Sequence, residues 1–329
     1  MKNFLFYLVI GLLFFIHNAS AQGMVKKDGI GKTYLSVTGL PDYPPFSSYE
    51  FIKRESNSFF KFKSAFLQPL EKVSNQNRIK IQSENFPESQ SIDVSNLIIE
   101  TKDGLFDIFI GAYADTKLFR GLKLIYPSDV SNPVHIITLP SDDFQIKKSS
   151  DLMKYKGVVI KTEYFSDFVL RKIKQFNIIF VDTPYEAYEM LFTGKAQYII
   201  GGLYYNKIMA SRYGIHQYFS FSTKPLFNIP IFVSLSQMRK SFEQYAKIYH
   251  QEFSNPEFAT EVKNEIIRMV NEELEKNAGI VPPSFAYHND EQKNNLNKQE
   301  DIEKNKNKEK PVIDKTEYEK KLNKILTRF

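Results

Sequence analysis

The sequence predicts an α/β protein of two open lobes joined by two crossing segments. Short apolar runs with the length of buried strands alternate with helical patterns in two successive blocks of the chain. A chain of 329 residues exceeds what one hydrophobic core usually organises, so two lobes are expected. A late apolar segment, Phe227 to Leu235, follows the second block and can return the chain to the first.

Composition and charge exclude several functional classes. The formal net charge is +6, and removal of a leader containing Lys2 leaves 43 basic against 38 acidic residues. Basic residues form no stripe interleaved with aromatic residues, so we expect no nucleic-acid partner. Cysteine is absent, which excludes thiol nucleophiles and cysteine-ligated metals, and the five histidines lack metal-ligand spacing. We therefore expect no cofactor.

The first 21 residues have the pattern of a cleaved secretory signal. Lys2 precedes an apolar run from Phe4 to Ile16, and Ala19-Ser20-Ala21 forms a small-residue cleavage site before Gln22. An uncleaved N-terminal anchor is the alternative. No later stretch is long and apolar enough to span a bilayer. We expect a soluble periplasmic protein with no stable membrane insertion after cleavage.

Residues 22–134 are predicted to supply the first part of lobe 1. The predicted strands are Tyr34 to Thr38, Arg78 to Gln82 and Phe106 to Ile110, and the predicted helices are Phe59 to Val73 and Ser91 to Glu100. Gly111 is expected to end the third strand, and Arg120 follows it. A strand that ends at glycine before an arginine is typical of sites for small anions. A buried strand followed by a solvated arginine is the alternative interpretation.

Residues 135–225 are predicted to form lobe 2, and residues 226–285 to return to lobe 1 and end in helices. Val134 to Leu139 is expected to lead out of lobe 1, and Thr183-Pro184-Tyr185-Glu186 has the pattern of a helix start. Residues 286–329 are rich in Asn, Lys and Glu, so we expect a charged, mostly disordered tail. Its last residues, from Tyr318 to Phe329, suit either a short docking helix or a solvated end.

Four motifs, in this order, resemble those of the family 3 extracellular solute-binding proteins, the periplasmic receptors of polar amino-acid ABC transporters. The resemblance covers roughly Thr33 to Leu274. The motifs are Tyr43-Pro44-Pro45-Phe46; Asp107-Ile108-Phe109-Ile110-Gly111 with Thr116, Arg120 and Tyr126-Pro127; Tyr155-Lys156-Gly157-Val158 with Thr162; and the segment from Glu186 to Ile200.

The resemblance implies a type 2 periplasmic-binding fold and a receptor for a small polar, carboxylate-bearing solute captured between the lobes for ABC import. It implies an ABC permease as partner, and we expect a monomer that closes about crossings near Val134 and Ile231. Arg120 would hold the carboxylate. The other implied ligand contacts are Tyr43 and Phe46 as an aromatic wall, Tyr113 and Thr116 from lobe 1, and Thr162 and Tyr164 from lobe 2.

Two differences from the family bear on the ligand. More residues separate Gly111 from Arg120 than is usual, and Gly202 stands where the family has the aspartate that pairs with the ligand's α-ammonium. A buried ammonium without a carboxylate is unfavourable by several kcal/mol. We therefore expect a ligand with an anionic or neutral polar group and no obligatory α-ammonium.

Two other functions use the same fold. A periplasmic sensor or interaction protein that does not serve transport is the first alternative. An exported enzyme is the second, as in lytic transglycosylases and cyclohexadienyl dehydratases. The chain has no G-x-S-x-G motif and its adjacent acidic pairs point apart on regular elements, so we expect no catalysis.

Overall fold

A computed structural model describes residues 33–54, 58–113, 116–127, 129–140, 149–239 and 241–287. The predicted leader and the tail from residue 288 onward lie outside the described residues. The strands are β1 (Thr33–Gly39), β2 (Asp42–Tyr43), β3 (Ser47–Ile52), β4 (Phe59–Lys63), β5 (Ile79–Ser83), β6 (Asn85–Pro87), β7 (Ile108–Ala112), β8 (Leu122–Ile125), β9 (Ser131–Thr138), β10 (Gly157–Ile160), β11 (Ile178–Val181), β12 (Tyr198–Gly202), β13 (Ser220–Phe221), β14 (Phe227–Pro230) and β15 (Phe232–Ser236).

The α-helices within these residues are α1 (Leu67–Gln76), α2 (Val94–Lys102), α3 (Asp167–Ile173), α4 (Pro184–Phe192), α5 (Leu203–Arg212), α6 (Phe242–Phe253) and α7 (Pro256–Lys276). Short 3-10 helices occur at Lys117–Phe119, Ser149–Lys154, His216–Tyr218 and Ser284–Tyr287. Within the described part of the chain, no helix combines the length and apolar character needed to cross a membrane.

Lobe 1 is organised by a sheet in the order β5-β1-β7-β15-β8. β1 lies parallel to β5 and β7, and β15 is antiparallel to β7 and β8. Helices α1, α2 and α6 pack on this sheet. Because all residues of β7 are buried, the strand reads as one apolar run, as expected for the centre of a sheet covered on both faces.

The glycine in β7 corrects one prediction. The strand extends to Ala112, so Gly111 does not end it. Gly111 has φ +99, and a Cβ there would lie 3.1 Å from Leu40 Cδ1. Glycine allows the strand to bend past Leu40 without strain and to continue to Ala112.

A small sheet in the order β2-β3-β4-β6 packs beside β1 and corrects a second prediction. The expected helix from Phe59 to Val73 was wrong in its first part, because Phe59–Lys63 forms β4 and the helix begins at Leu67. The phenylalanines at helical spacing also alternate with lysines, and pairing with β3 and β6 selects the strand. The Tyr49 hydroxyl lies 2.6 Å from Thr38 Oγ1 and joins this sheet to β1.

Lobe 2 is organised by a second sheet in the order β11-β10-β12-β9-β13, with β14 also paired to β9. The predicted helix start is confirmed: Thr183 and Glu186 form a capping box at the N-terminus of α4, and Pro184 is its first residue. The two-lobed α/β architecture predicted from the sequence is thus confirmed by the sheets.

The two crossings between the lobes lie side by side. The first crossing joins β8 to β9 and includes Val130, and the second joins β14 to β15 at Ile231. The Ile231 amide donates a hydrogen bond to the Val130 carbonyl at 3.2 Å, and both residues are fully buried. The first crossing was predicted near Val134. Val134 lies within β9, which already belongs to the second sheet, so the crossing comes a few residues earlier in the chain. Two short, adjacent crossings have the geometry of a hinge.

Candidate functional site

Aromatic rings from both lobes meet where the lobes face each other. Tyr43 of β2 and Phe46 come from lobe 1, and Tyr164, Tyr204 and Tyr205 come from lobe 2. These five residues are called the aromatic seam. The ring centroid of Tyr43 lies 5.8 Å from that of Tyr164 and 6.2 Å from that of Tyr205, and those of Phe46 and Tyr204 are 6.0 Å apart.

The exposure of the seam shows that the lobes are closed on each other at this point. Tyr43 and Phe46 are both 0% exposed, although they were predicted as the wall of a ligand cleft. Their rings lie against each other and against the tyrosines of lobe 2, with Tyr164 and Tyr204 in edge-to-face arrangements. Contacts of this kind add roughly 0.5–1.5 kcal/mol per aromatic pair beyond the burial of apolar area.

Hydrogen bonds to the Tyr43 hydroxyl come from both lobes. The Tyr113 hydroxyl and the Asn132 side-chain amide each donate to Tyr43 Oη at 2.6 Å. Tyr113 directly follows β7, and Asn132 lies near the start of β9, next to the first crossing. Burial raises the pKa of Tyr43 and of Tyr113 above the ordinary range, so both hydroxyls stay neutral.

A buried carboxyl group occupies the lobe 2 side. Glu163, after β10, accepts the Gly202 amide N–H at Oε2 and the Asn206 side-chain amide at Oε1, both at 2.5 Å. The Tyr188 hydroxyl donates to Asn206 Oδ1 at 3.2 Å. Burial raises the pKa of Glu163 from 4.5 to about 8, against the opposing effect of these hydrogen bonds.

Two glycines make room for these polar groups. A Cβ on Gly201 would lie 2.6 Å from Glu163 Oε1, and a Cβ on Gly202 would lie 2.6 Å from Asn132 Nδ2. Position 202 is where the resemblance places the family's aspartate. In this chain the space that an aspartate side chain would enter is filled by the Asn132 amide, and Glu163 supplies a carboxyl group beside it.

The structure brings together part of the predicted site. Tyr43, Phe46, Tyr113 and Tyr164 lie in or beside the seam. Thr162 is exposed, and its Oγ1 lies 3.5 Å from the Tyr205 hydroxyl, at the limit of a hydrogen bond.

The remaining predicted contacts, Thr116 and Arg120, lie after β7. Thr116 is half-buried, and its Oγ1 has no hydrogen-bond partner among the described residues. Arg120 is exposed after the 3-10 helix Lys117–Phe119. Tyr113 is buried beside the seam, whereas Arg120 lies at the surface. No contact among the described residues directs the Arg120 guanidinium toward the seam.

Four polar residues of the site were not predicted from the sequence: Asn132, Glu163, Tyr188 and Asn206. Each is buried and contacts a partner far along the chain. The adjacent glycines Gly201 and Gly202 at the end of β12 were the available signal, since glycine in a strand often marks a close approach of other groups. Among the described residues, no group of three or more His, Cys, Asp or Glu is arranged to hold a metal ion.

The chain is similar to known proteins in structure and not in sequence. No protein-family model matches it, and no curated protein sequence matches it. Solved structures do match. The periplasmic VFT2 domain of Bordetella pertussis BvgS is 14% identical, with a TM-score of 0.52 over 72% of this chain and 93% of that one.

Two further structures give the same result. A binding component of an ABC transporter from Wolinella succinogenes, complexed with lysine, is 15% identical, with a TM-score of 0.53 over 72% of this chain and 95% of that one. The ligand-binding core of GluR0 with L-glutamate is 12% identical, with a TM-score of 0.51 over 72% and 97%. This chain has the type 2 periplasmic-binding fold.

The type 2 periplasmic-binding fold predicted by the resemblance is thus confirmed. At identities of 12–15% the likeness extends to the fold alone.

Proposed function

We propose that the chain is a periplasmic receptor of the sensing or interaction type, whose lobes are closed by the protein's own side chains. The supporting observation is that side chains of the two lobes contact one another across the seam. Asn132 of β9 donates to Tyr43, and the rings of Tyr43 and Phe46 contact those of the lobe 2 tyrosines. In a transport receptor the ligand supplies the interactions that favour closure. A receptor whose closed state is favourable without ligand does not report occupancy to a permease.

A thermal-shift screen of the mature protein tests this proposal. Standard amino acids, dicarboxylates and sugars, each at millimolar concentration, are expected to leave the melting temperature unchanged, because binding must first separate the seam. The same screen is run on Tyr43→Ala, which lacks the central ring of the seam and whose lobes should separate more readily. Strong stabilisation of the unmodified protein by one of these solutes would contradict the proposal.

A second candidate is the capture of a small polar, carboxylate-bearing solute for ABC import. Two buried oxygens favour it: Thr116 Oγ1 and Asn132 Oδ1 have no hydrogen-bond partner among the described residues. Buried polar atoms without partners are rare and often mark a place for a ligand or a water molecule. Under this candidate the ligand carries donors toward these oxygens and needs no α-ammonium, since Gly202 replaces the aspartate.

Arg120→Ala separates the two candidates. If Arg120 binds the carboxylate after the lobes open, an organic acid that stabilises the protein loses its effect in Arg120→Ala. Stabilisation by ordinary amino acids at micromolar concentration, abolished in Arg120→Ala but retained in a Gly202 variant, would establish amino-acid capture. It would also exclude a ligand without an α-ammonium.

Export to the periplasm is part of the proposal. It is supported by the signal pattern of residues 1–21. Mass spectrometry of the secreted chain is expected to give an N-terminus at Gln22. A chain that retains Met1 in the membrane fraction would instead show an uncleaved anchor.

A further inference from the structure

Helix α7 is attached to lobe 1 through its N-terminal half. The rings of Phe253 in α6 and Phe258 in α7 stack at 4.2 Å between centroids, and α6 packs on the lobe 1 strands β8 and β15. The Tyr249 hydroxyl of α6 lies 2.8 Å from Ser74 Oγ of α1. Lys72 of α1 pairs with Glu257 and Glu261 of α7. This half of α7 therefore moves with lobe 1.

The C-terminal half of α7 contacts lobe 2 instead. The Asn277 side-chain amide donates to Ser211 Oγ of α5 at 3.1 Å, and both residues are buried. Arg212 Nε of α5 lies 3.3 Å from Glu273 Oε2. Helix α5 follows β12 directly and packs on β9 and β12, so it belongs to lobe 2.

The tightest contact in this region lies just after α7. Gly214 ends the turn that follows α5 with φ +67, and a Cβ there would lie only 2.2 Å from the Ile280 carbonyl oxygen. Backbone therefore meets backbone between lobe 2 and the segment after α7. A contact this close tolerates no side chain and resists sliding of one segment past the other.

The ionic contacts nearby are less important. Lys276 Nζ lies 3.7 Å from Glu50 Oε1 of β3, and Glu50 also pairs with Lys63 at 3.0 Å. These residues border an open cavity of about 400 Å³ that Arg212, Asn277 and Ile280 also line. The Lys276 and Glu50 side chains are 63% and 35% exposed, so water reaches the ion pairs. Solvated ion pairs contribute little to stability. The hydrogen bond from Asn277 to Ser211 and the close approach of Ile280 to Gly214 therefore carry the attachment.

We propose that Glu273 to Ile280 form a latch that fastens lobe 2 to lobe 1 and holds the lobes closed. Opening about Val130 and Ile231 must shear α5 past α7, which breaks the Ser211–Asn277 and Gly214–Ile280 contacts. The latch uses none of the seam residues, so it works whatever the cleft binds and does not rest on the proposed function. It makes lobe closure sensitive to the position of the end of α7.

Gly214→Ala and Gly194→Ala form a matched pair for the test. Gly194 has φ +70, close to the φ +67 of Gly214, but a Cβ on Gly194 meets no atom within 4 Å. Both variants introduce the same backbone strain in lobe 2, and only Gly214→Ala collides with Ile280. Because the chain has no cysteine, spin labels at Lys123→Cys in lobe 1 and Lys174→Cys in lobe 2 report the inter-lobe distance without background.

The expected result is a longer and broader inter-lobe distance distribution in Gly214→Ala and no change in Gly194→Ala. Identical distributions in the two variants would overturn the latch. If Gly214→Ala does not fold, Ser211→Ala replaces it, with Ser234→Ala as control, because the Ser234 hydroxyl donates a buried hydrogen bond to the Phe109 carbonyl within lobe 1. Widening in Ser211→Ala alone supports the latch, and widening in neither or in both contradicts it.

Discussion

At the residue scale, Gly202 and Asn132 compete for the same space beside Tyr43. The Asn132 amide holds Tyr43 Oη at 2.6 Å and fills the space above Gly202. A side chain at position 202 and the present position of Asn132 exclude each other. This pair explains in steric terms why the chain lacks the aspartate of the family that it resembles.

Gly202→Ala should therefore destabilise the protein. The new Cβ pushes the Asn132 amide away from Tyr43, and overpacking of this kind costs about 1–3 kcal/mol. In an Asn132→Ala background the same change should cost much less, and the coupling should be about 0.5–3 kcal/mol. Urea unfolding of the two single variants and the double variant measures the coupling.

Gly279→Ala is the control for that cycle, because a Cβ on Gly279 meets no atom within 4 Å. It should change the free energy of unfolding by no more than about 0.5 kcal/mol in either background. Additive effects of Gly202→Ala and Asn132→Ala would show that the two positions do not compete for space.

Glu163 gives a pH prediction. Its pKa is raised from 4.5 to about 8 in the folded protein, so the folded state binds the proton more tightly than the unfolded state. The contribution of protonated Glu163 to the free energy of unfolding is full below pH 4.5, falls between pH 4.5 and pH 8, and is lost above pH 8. Glu163→Gln, which has no proton to lose, should remove a decline of up to about 1.4 kcal/mol per pH unit within that window.

The measurement is the free energy of unfolding of the unmodified protein and of Glu163→Gln at intervals from pH 4 to pH 9. The difference between the two curves isolates Glu163 from the histidines, which are common to both proteins. The neighbouring Tyr43, Tyr188 and Tyr205 have raised pKa values and do not titrate in this window. A pH-independent difference would show that Glu163 titrates normally.

At the element scale, a buried ion pair joins the ends of two lobe 1 strands. Asp107, just before β7, accepts hydrogen bonds from Arg239 Nε and from Arg239 Nη2, the latter at 2.6 Å. It also accepts the Ser36 amide of β1 at 2.8 Å. Burial raises the pKa of Asp107, with Ser36 and Arg239 opposing that shift. The pair fixes β1, β7 and the segment after β15 at one edge.

Asp107→Asn should cost about 3–5 kcal/mol, because it leaves the Arg239 charge largely buried without a carboxylate. Asp182→Asn makes the same chemical change in the exposed pair with Lys161 and should cost only about 0–1 kcal/mol. Guanidinium unfolding compares the two variants. Equal losses would mean that the pair at Asp107 is effectively solvated.

The sequence predicted those elements whose signals are local. Thr183, Pro184 and Glu186 predicted the start of α4 because a capping box depends on neighbours in sequence. β4 was missed because its identity depends on pairing with β3 and β6, and the phenylalanines at Phe59 and Phe62 fit a helical period as well. Neither the helical nor the strand period of a segment shows which distant segment it pairs with.

The site was less predictable than the fold for a related reason. Tyr43 belongs to a motif at a strand end and Tyr113 was implied by the resemblance, and the structure places Tyr43 in the seam and Tyr113 beside it. Asn132, Glu163 and Asn206 belong to no motif, and their contacts join residues up to 89 positions apart. The exposure of Arg120 follows from the path of the chain after β7, which motif spacing alone does not determine.

At the scale of the whole molecule, the lobes are held closed in two ways about one hinge. The crossings meet at Val130 and Ile231, the seam closes the cleft, and the proposed latch fastens α5 to the end of α7. We propose that this closed arrangement forms without a ligand. A receptor that its own side chains close differs in this respect from one that stays open until a solute binds.

The inter-lobe distance in the ligand-free protein tests that claim most directly. With spin labels at Lys123→Cys and Lys174→Cys, we predict one narrow distribution of inter-lobe distances. Millimolar amino acids or organic acids should leave this distribution unchanged. In Tyr43→Ala it should broaden to longer distances. A broad, long distribution in the ligand-free protein that contracts when a solute is added would contradict it.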